Sequence, residues 1–167
     1  MKESFIKYLQ SKGVAQDPRV AAAFRAIDRS DFMAEGEATV DEPFPIPAGQ
    51  TISQPYTVAF MLDRLEVKPG MKVLDVGSGS AWSTALLAHI VGEEGEVIGL
   101  DIERELVKFG RENLRKYPFK NTRVLMVQKG TYGHKKEGPY DRIAVWAAAK
   151  EEVPQQLVEQ LDSNGIL

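Results

Sequence analysis

Lys72-Val73-Leu74-Asp75-Val76-Gly77-Ser78-Gly79-Ser80-Ala81-Trp82 is the stretch on which the fold turns. A short β-branched and aliphatic run enters two closely spaced glycines, and a helical pattern from Ser83 to Val91 follows. Strand, tight turn and helix in that order aim backbone amides and the positive end of a helix at the turn, where a ligand's negative groups can be received. A dinucleotide fingerprint would want a third glycine at position 82, and the residue there is Trp82, so a NAD or FAD reading is weak. Glycines at such a turn also meet a steric need of their own, so Gly77 and Gly79 alone leave a ligand site and a bare turn equally open.

Outward from the turn, Glu96 to Leu100 reads as a second apolar strand, and Asp101 stands at its carboxyl end. It follows the glycine turn by roughly 20 residues, the spacing at which an acid meets the two ribose hydroxyls of a nucleoside ligand. The plainer alternative is a capping acid for the helix through Leu106; the context favours the ligand. Leu106 to Tyr117 predicts a charged amphipathic helix, Thr122 to Val127 a third strand and Asp141 to Trp146 a fourth. Pro154 to Leu161 predicts a last helix, and Gly165-Ile166-Leu167 the first residues of a fifth strand. Strand and helix alternating in this way imply an α/β, doubly wound, mostly parallel sheet with helices on both faces.

Toward the amino terminus, Tyr56 to Leu65 has helical spacing and Lys68-Pro69-Gly70 ends it. From Gly36 to Pro55 there is little periodicity and four prolines, Pro43, Pro45, Pro47 and Pro55, which predict an ordered extended loop. Loops this long inside compact domains are functional or disordered. Before it, Asp17 can cap a helix with Pro18 at its first position and Val20, Phe24 and Ile27 on one apolar face. One domain over 1–167 is expected, in two parts: 1–66 with the amino-terminal helices and long loop, and 67–167 with the α/β core.

Composition excludes several classes. Hydrophobic residues at 43% and charged residues at 27% suit a soluble domain, with no stretch near the roughly 20 apolar residues of a membrane span. Met1 to Gln10 has no secretory pattern, and zero cysteines exclude disulfides, thiolate metal sites and a cysteine nucleophile, compatible with a reducing cytoplasm. A net charge of −3 argues against a nucleic-acid surface, and the small basic group Lys129, Lys135 and Lys136 reads as a solvated loop. His89 and His134 have no second ligand at metal-binding spacing, so no metal is expected.

The chain also resembles the protein-L-isoaspartate O-methyltransferase family over nearly its whole length. The most specific piece is Gly49-Gln50-Thr51-Ile52-Ser53-Gln54-Pro55, preceded by Asp41, Pro43, Pro45 and Ile46. Lys68 to Leu74, Pro139-Tyr140-Asp141 with Ala147-Ala148-Ala149, and Val153 to Leu157 followed by Gln160-Leu161 agree as well. Asp17, Arg19, Val20, Asp28-Arg29 and Phe32 are similar to the family's amino-terminal segment.

The resemblance implies a Rossmann-like class I methyltransferase fold, S-adenosylmethionine as methyl donor, and an isoaspartyl carboxylate of a protein or peptide as acceptor. It implies Ser53 as the active-site residue, with Thr51, Ile52 and Gln54 binding substrate. It implies Asp75, Gly77, Ser78, Gly79, Asp101 and Ile102 as cofactor-binding, and a cytoplasmic monomer. On the residues alone, the Ser53 hydroxyl reads more simply as a tie from loop to backbone. Departures are Gln128-Lys129-Gly130 where the family has Gly-Asp-Gly with its aspartate on the adenine amino group, Ala81 for a glycine, and Ala48 for a frequent histidine. The chain stops at Leu167, before the family's final antiparallel hairpin, so a fifth strand would lie at an edge. Two further readings use the same residues: a non-catalytic relative that binds peptides, and a methyltransferase of this fold acting on another acceptor such as RNA adenine.

Overall fold

The computed structural model describes residues 1–147 and 152–167. Two helices open it, α1 (Glu3–Ser11) and α2 (Pro18–Ala26). The side chain of Asp17 accepts from the Arg19 amide and Pro18 occupies the first turn, so α2 starts where its cap predicts. Val20, Phe24 and Ile27 are buried as one face. A 3-10 turn, Arg29–Phe32, leads away from it.

The stretch expected as an extended loop contains a hairpin. Strands β1 (Phe44–Ile46) and β2 (Gln50–Ile52) pair antiparallel, with Phe44 opposite Ile52 and Ile46 opposite Gln50. Three residues per strand are too few to show alternation, and Pro45 cannot donate to a ladder, which is why the pattern is hidden in the sequence. At its tip Ala48 lies in the left-handed region at φ 59° and ψ 24°, an uncommon place for a residue with a Cβ. Helix α3 (Pro55–Leu65) follows, and the Asp41 carboxylate accepts from the Tyr56 amide in its first turn at 2.8 Å.

Strands β3 (Lys72–Val76), β4 (Glu96–Asp101), β5 (Thr122–Met126), β6 (Tyr140–Val145) and β7 (Leu161–Ile166) form one parallel sheet in the order β5-β4-β3-β6-β7. Helices α4 (Trp82–Val91) and α5 (Arg104–Leu114) connect β3 to β4 and β4 to β5. Side chains alternate across the sheet. Val73, Val97, Val124 and Ala144 join the core made by α1, α2, α3 and α4, whereas Leu74, Ile98 and Ile143 join a second cluster that includes Leu157. The chain runs outward from β3 through β4 to β5 and then returns to β3's other side, so the strand order reverses at β3. In open α/β sheets a crevice forms at that point, beyond the carboxyl ends of the strands.

The carboxyl-terminal region differs from its sequence expectation. The helix expected over Pro154 to Leu161 is a single turn, α6 (Gln155–Val158), and β7 begins at Leu161, not at Gly165. Val153, Leu157 and Leu161 have helical spacing, but the Gln160 carbonyl accepts from the Tyr140 amide at 2.8 Å and draws the chain into the sheet. Leu161 then stands opposite Tyr140 and Ile166 opposite Arg142, with a register shift between them. Strand β7 is an edge strand. Among the described residues no helix is long and apolar enough to cross a membrane. Ala148 and Ala149, part of the family resemblance, lie outside the described residues.

Candidate active site

Gly77 and Gly79 take φ values of +77° and +53°, in the left-handed region where glycine carries no steric cost. The turn they make is fastened to the next strand, since the Gly77 and Ser78 amides both donate to the Leu100 carbonyl, at 2.8 and 2.9 Å. Asp101 adds a third tie. One carboxylate oxygen accepts from the Gly79 amide at 2.9 Å and the other from the Glu103 amide at 3.0 Å. The acid therefore braces the glycine turn and, through the Glu103 amide, the loop that leads into α5, whose own first-turn amides it does not cap. Each oxygen retains a further lone pair, so both tasks leave room to accept ligand hydroxyls.

Asp75 lies beneath this turn and is fully buried. Its carboxylate accepts from Ser83 Oγ at 2.9 Å, Thr84 Oγ1 at 2.5 Å and Trp146 Nε1 at 2.5 Å. Burial pushes this carboxyl up from its ordinary range, and the three donors oppose that rise. The bond to Trp146 joins the end of β6 to the end of β3 and fixes the indole.

A cavity of about 220 Å³ opens over these strand ends. Thr51, Ile52 and Ser53 enter it from the hairpin side, Gly77, Ser78 and Gly79 from the turn, and Asp101 and Ile102 from the end of β4. Two expected residues stand off its wall: Gln54 occupies the N-cap position of α3 without a side-chain cap bond, and Asp75 acts from below through Trp146. A Cβ at Gly79 would lie 3.4 Å from Ile46 Cδ1, in van der Waals contact with the hairpin that faces the turn. Ser78 Oγ is buried over Gly99 of β4 without a hydrogen-bond partner among the described residues. His89 and His134 do not line the cavity, and Lys129 sits in an exposed turn outside it.

Two residues to which the sequence assigned no site role shape this site. Trp146 forms part of the wall at the end of β6. Its polar bond spans 71 residues of chain, and only the presence of a tryptophan at a strand's carboxyl end hinted at it. Arg29 is completely buried, and burial lowers its guanidinium to about 10. It donates to the Val40 carbonyl at 3.0 Å, the Glu42 carbonyl at 2.7 Å and the Ser53 carbonyl at 3.1 Å. The rings of Phe44 and Trp82 each lie 5.4 Å from its central carbon.

Known proteins are similar to this chain in sequence and fold. The pattern of the family described as protein-L-isoaspartate(D-aspartate) O-methyltransferase matches residues 1–167. A protein-L-isoaspartate O-methyltransferase of Pyrococcus horikoshii is 43% identical over 165 residues, which cover 97% of this chain and 73% of that protein. A solved protein-L-isoaspartate O-methyltransferase superposes with a TM-score of 0.87 at 26% identity, covering 99% of this chain and 54% of that one, so the chain spans about half its length. The Plasmodium falciparum relative, solved in complex with S-adenosyl-L-homocysteine, also gives a TM-score of 0.87, at 32% identity over 98% of this chain and 81% of that one. With the family pattern matched from end to end and the site's geometry in place, this chain belongs to the protein-L-isoaspartate (D-aspartate) O-methyltransferase family.

Proposed function

We infer that this chain transfers a methyl group from S-adenosylmethionine to the free carboxylate of L-isoaspartyl residues in damaged proteins and peptides, a repair reaction. The observation that carries the reading is one cavity with two unlike walls: the Ser53 segment on one side, and the glycine turn with Asp101 on the other. Bound there, S-adenosylmethionine supplies an electrophilic methyl carried on a sulfonium. Asp101 is suited to accept from ribose hydroxyls, and the bare backbone of Gly77 to Gly79 allows close approach of the ligand. Ile102, exposed at the end of β4, is suited to pack against the base. In this reading Asp75 serves the cofactor indirectly, by holding Trp146.

Ser53 acts by position. Its hydroxyl holds one oxygen of the substrate carboxylate and leaves the other free to form the new oxygen–carbon bond, while Thr51, Ile52 and Gln54 shape the segment around it. The carbon–sulfur bond breaks with its electron pair remaining on sulfur, and no proton moves. A carboxylate with a pKa near 4 is already ionised at neutral pH, so no general base is required. Bringing the anionic oxygen to near-attack distance and excluding water are the tasks left to the protein.

The reading includes a cytoplasmic monomer that takes peptides and proteins and not nucleic acid or membranes; the net charge of −3 supports the exclusion of nucleic acid. Transfer of labelled methyl from S-adenosylmethionine to an isoaspartyl peptide, beside the same peptide with normal aspartate, tests the assignment. Base-labile label on the isoaspartyl peptide alone is expected. Label on neither peptide, or base-stable label on RNA, overturns it.

A further inference from the structure

Arg29 is a buried cation with an unusual set of partners. Every hydrogen bond recorded for its guanidinium goes to a backbone carbonyl: Nη1 to Ala38 at 3.5 Å and Val40 at 3.0 Å, Nη2 to Glu42 at 2.7 Å and Ser53 at 3.1 Å. Among the described residues no carboxylate lies within ion-pair distance of it. The pairing Phe44 with Ile52 is the last rung at the open end of the β1–β2 hairpin, and Glu42 and Ser53 lie just beyond it on opposite limbs. One nitrogen therefore bridges both limbs where the hairpin's own ladder has stopped.

Two three-residue strands do not hold themselves together in water, so the open end of this hairpin depends on what grips it. The rings of Phe44 and Trp82 both lie within cation–π distance of the guanidinium carbon, and Trp82 also lines the cavity. Arg29 is thus packed between the hairpin and the wall that faces it. A planar fork can serve several carbonyls in one plane; a lysine ammonium, a single point on a flexible stem, cannot reproduce that reach.

We propose that Arg29 is a positioning residue for the methyl transfer: by tying the Ser53 carbonyl to the limb that carries Glu42, it sets where the Ser53 hydroxyl stands over the cavity. The proposal rests on the role given to Ser53 above. It assigns the placement of the substrate-facing hydroxyl to a cation that lies 24 residues earlier in the chain and does not itself line the cavity. A purely structural Arg29 would lower stability when replaced and leave the consequence of removing the Ser53 hydroxyl unchanged.

A double-mutant cycle separates the two. Arg29→Lys keeps the charge and loses the fork, and is expected to lower kcat on isoaspartyl peptide by about 10- to 100-fold, with S-adenosylhomocysteine affinity held within about twofold. Made in a Ser53→Ala background, the same substitution is expected to change kcat by less than about twofold, because no hydroxyl is left to place. Losses that multiply independently overturn the proposal while leaving the Ser53 role standing. A Ser53→Ala enzyme that runs at the parent rate removes that role and the proposal with it. Should Arg29→Lys fail to fold, Arg29→Gln takes its place in the cycle, since its shorter amide keeps a donor and cannot bridge the Glu42 and Ser53 carbonyls. The same non-additivity decides.

Discussion

The glycine turn and the Ser53 hairpin face each other across one cavity, yet they are held in different ways. The turn is fastened by main-chain bonds to the adjoining strand and by two buried or nearly buried acids, Asp75 and Asp101. The hairpin has three-residue strands, an exposed tip with Ala48 in the left-handed region, and a base closed by Arg29 and Asp41. The first wall is an extension of the sheet, rigid because the sheet is. The second is a separate piece laid against it, and one long-range cation decides where it sits. Such a division suits a cofactor wall that keeps one shape and a substrate wall that must admit peptides of different sequence.

The largest effect is expected from breaking the turn from below. Asp75→Ala leaves two buried hydroxyls and the indole N–H of Trp146 without their acceptor, and should lower unfolding free energy by about 3 kcal/mol or more in urea titration. A loss under about 1 kcal/mol would mean that water or a shifted neighbour replaces the acid. Asp101→Ala comes next. It should weaken S-adenosylhomocysteine binding by about 1–3 kcal/mol in calorimetry, because it loses both the ribose acceptor and the brace on Gly79. Unchanged affinity would leave Asp101 as a brace for the glycine turn alone.

Trp146→Phe keeps most of the wall and removes one donor from Asp75. Stability should fall by about 1 kcal/mol, read from the urea midpoint, and cofactor affinity with it; an unchanged midpoint would show that the indole bond adds nothing. The smallest effect lies on the opposite wall. Ala48→Gly relieves the left-handed backbone at the hairpin tip at the cost of a freer unfolded chain, and should change stability by no more than about 1 kcal/mol. A larger loss would show that the Ala48 methyl holds the hairpin, against the account of Arg29 as its anchor.

This contrast also explains what could be read from the sequence. The turn was legible because its determinants are local: an aliphatic strand, glycines at Gly77 and Gly79, and an acid at the end of the next strand. Asp101 shows the limit of that reading, since ribose acceptor and helix cap appeared as alternatives, whereas its carboxylate accepts from the Gly79 and Glu103 amides and from no first-turn amide of α5. The hairpin was hidden because three residues and a proline leave no period to detect, and Ser53 was singled out by family resemblance and not by any local pattern. The roles of Arg29, named only within the family resemblance, and of Trp146 escaped for a different reason. Their partners lie 24 and 71 residues away, and no spacing in a single sequence marks such a pair. At the carboxyl end, helical spacing of Val153, Leu157 and Leu161 lost to sheet pairing at Tyr140.

The most direct test sets one wall against the other through S-adenosylhomocysteine affinity, measured by calorimetry on Ser53→Ala and Asp101→Ala side by side with turnover on isoaspartyl peptide. Ser53→Ala is expected to bind the cofactor product as the parent does while its kcat drops by about 100-fold, and Asp101→Ala is expected to lose affinity by about 5-fold or more. Cofactor affinity lost in Ser53→Ala and kept in Asp101→Ala would contradict the assignment of the two walls.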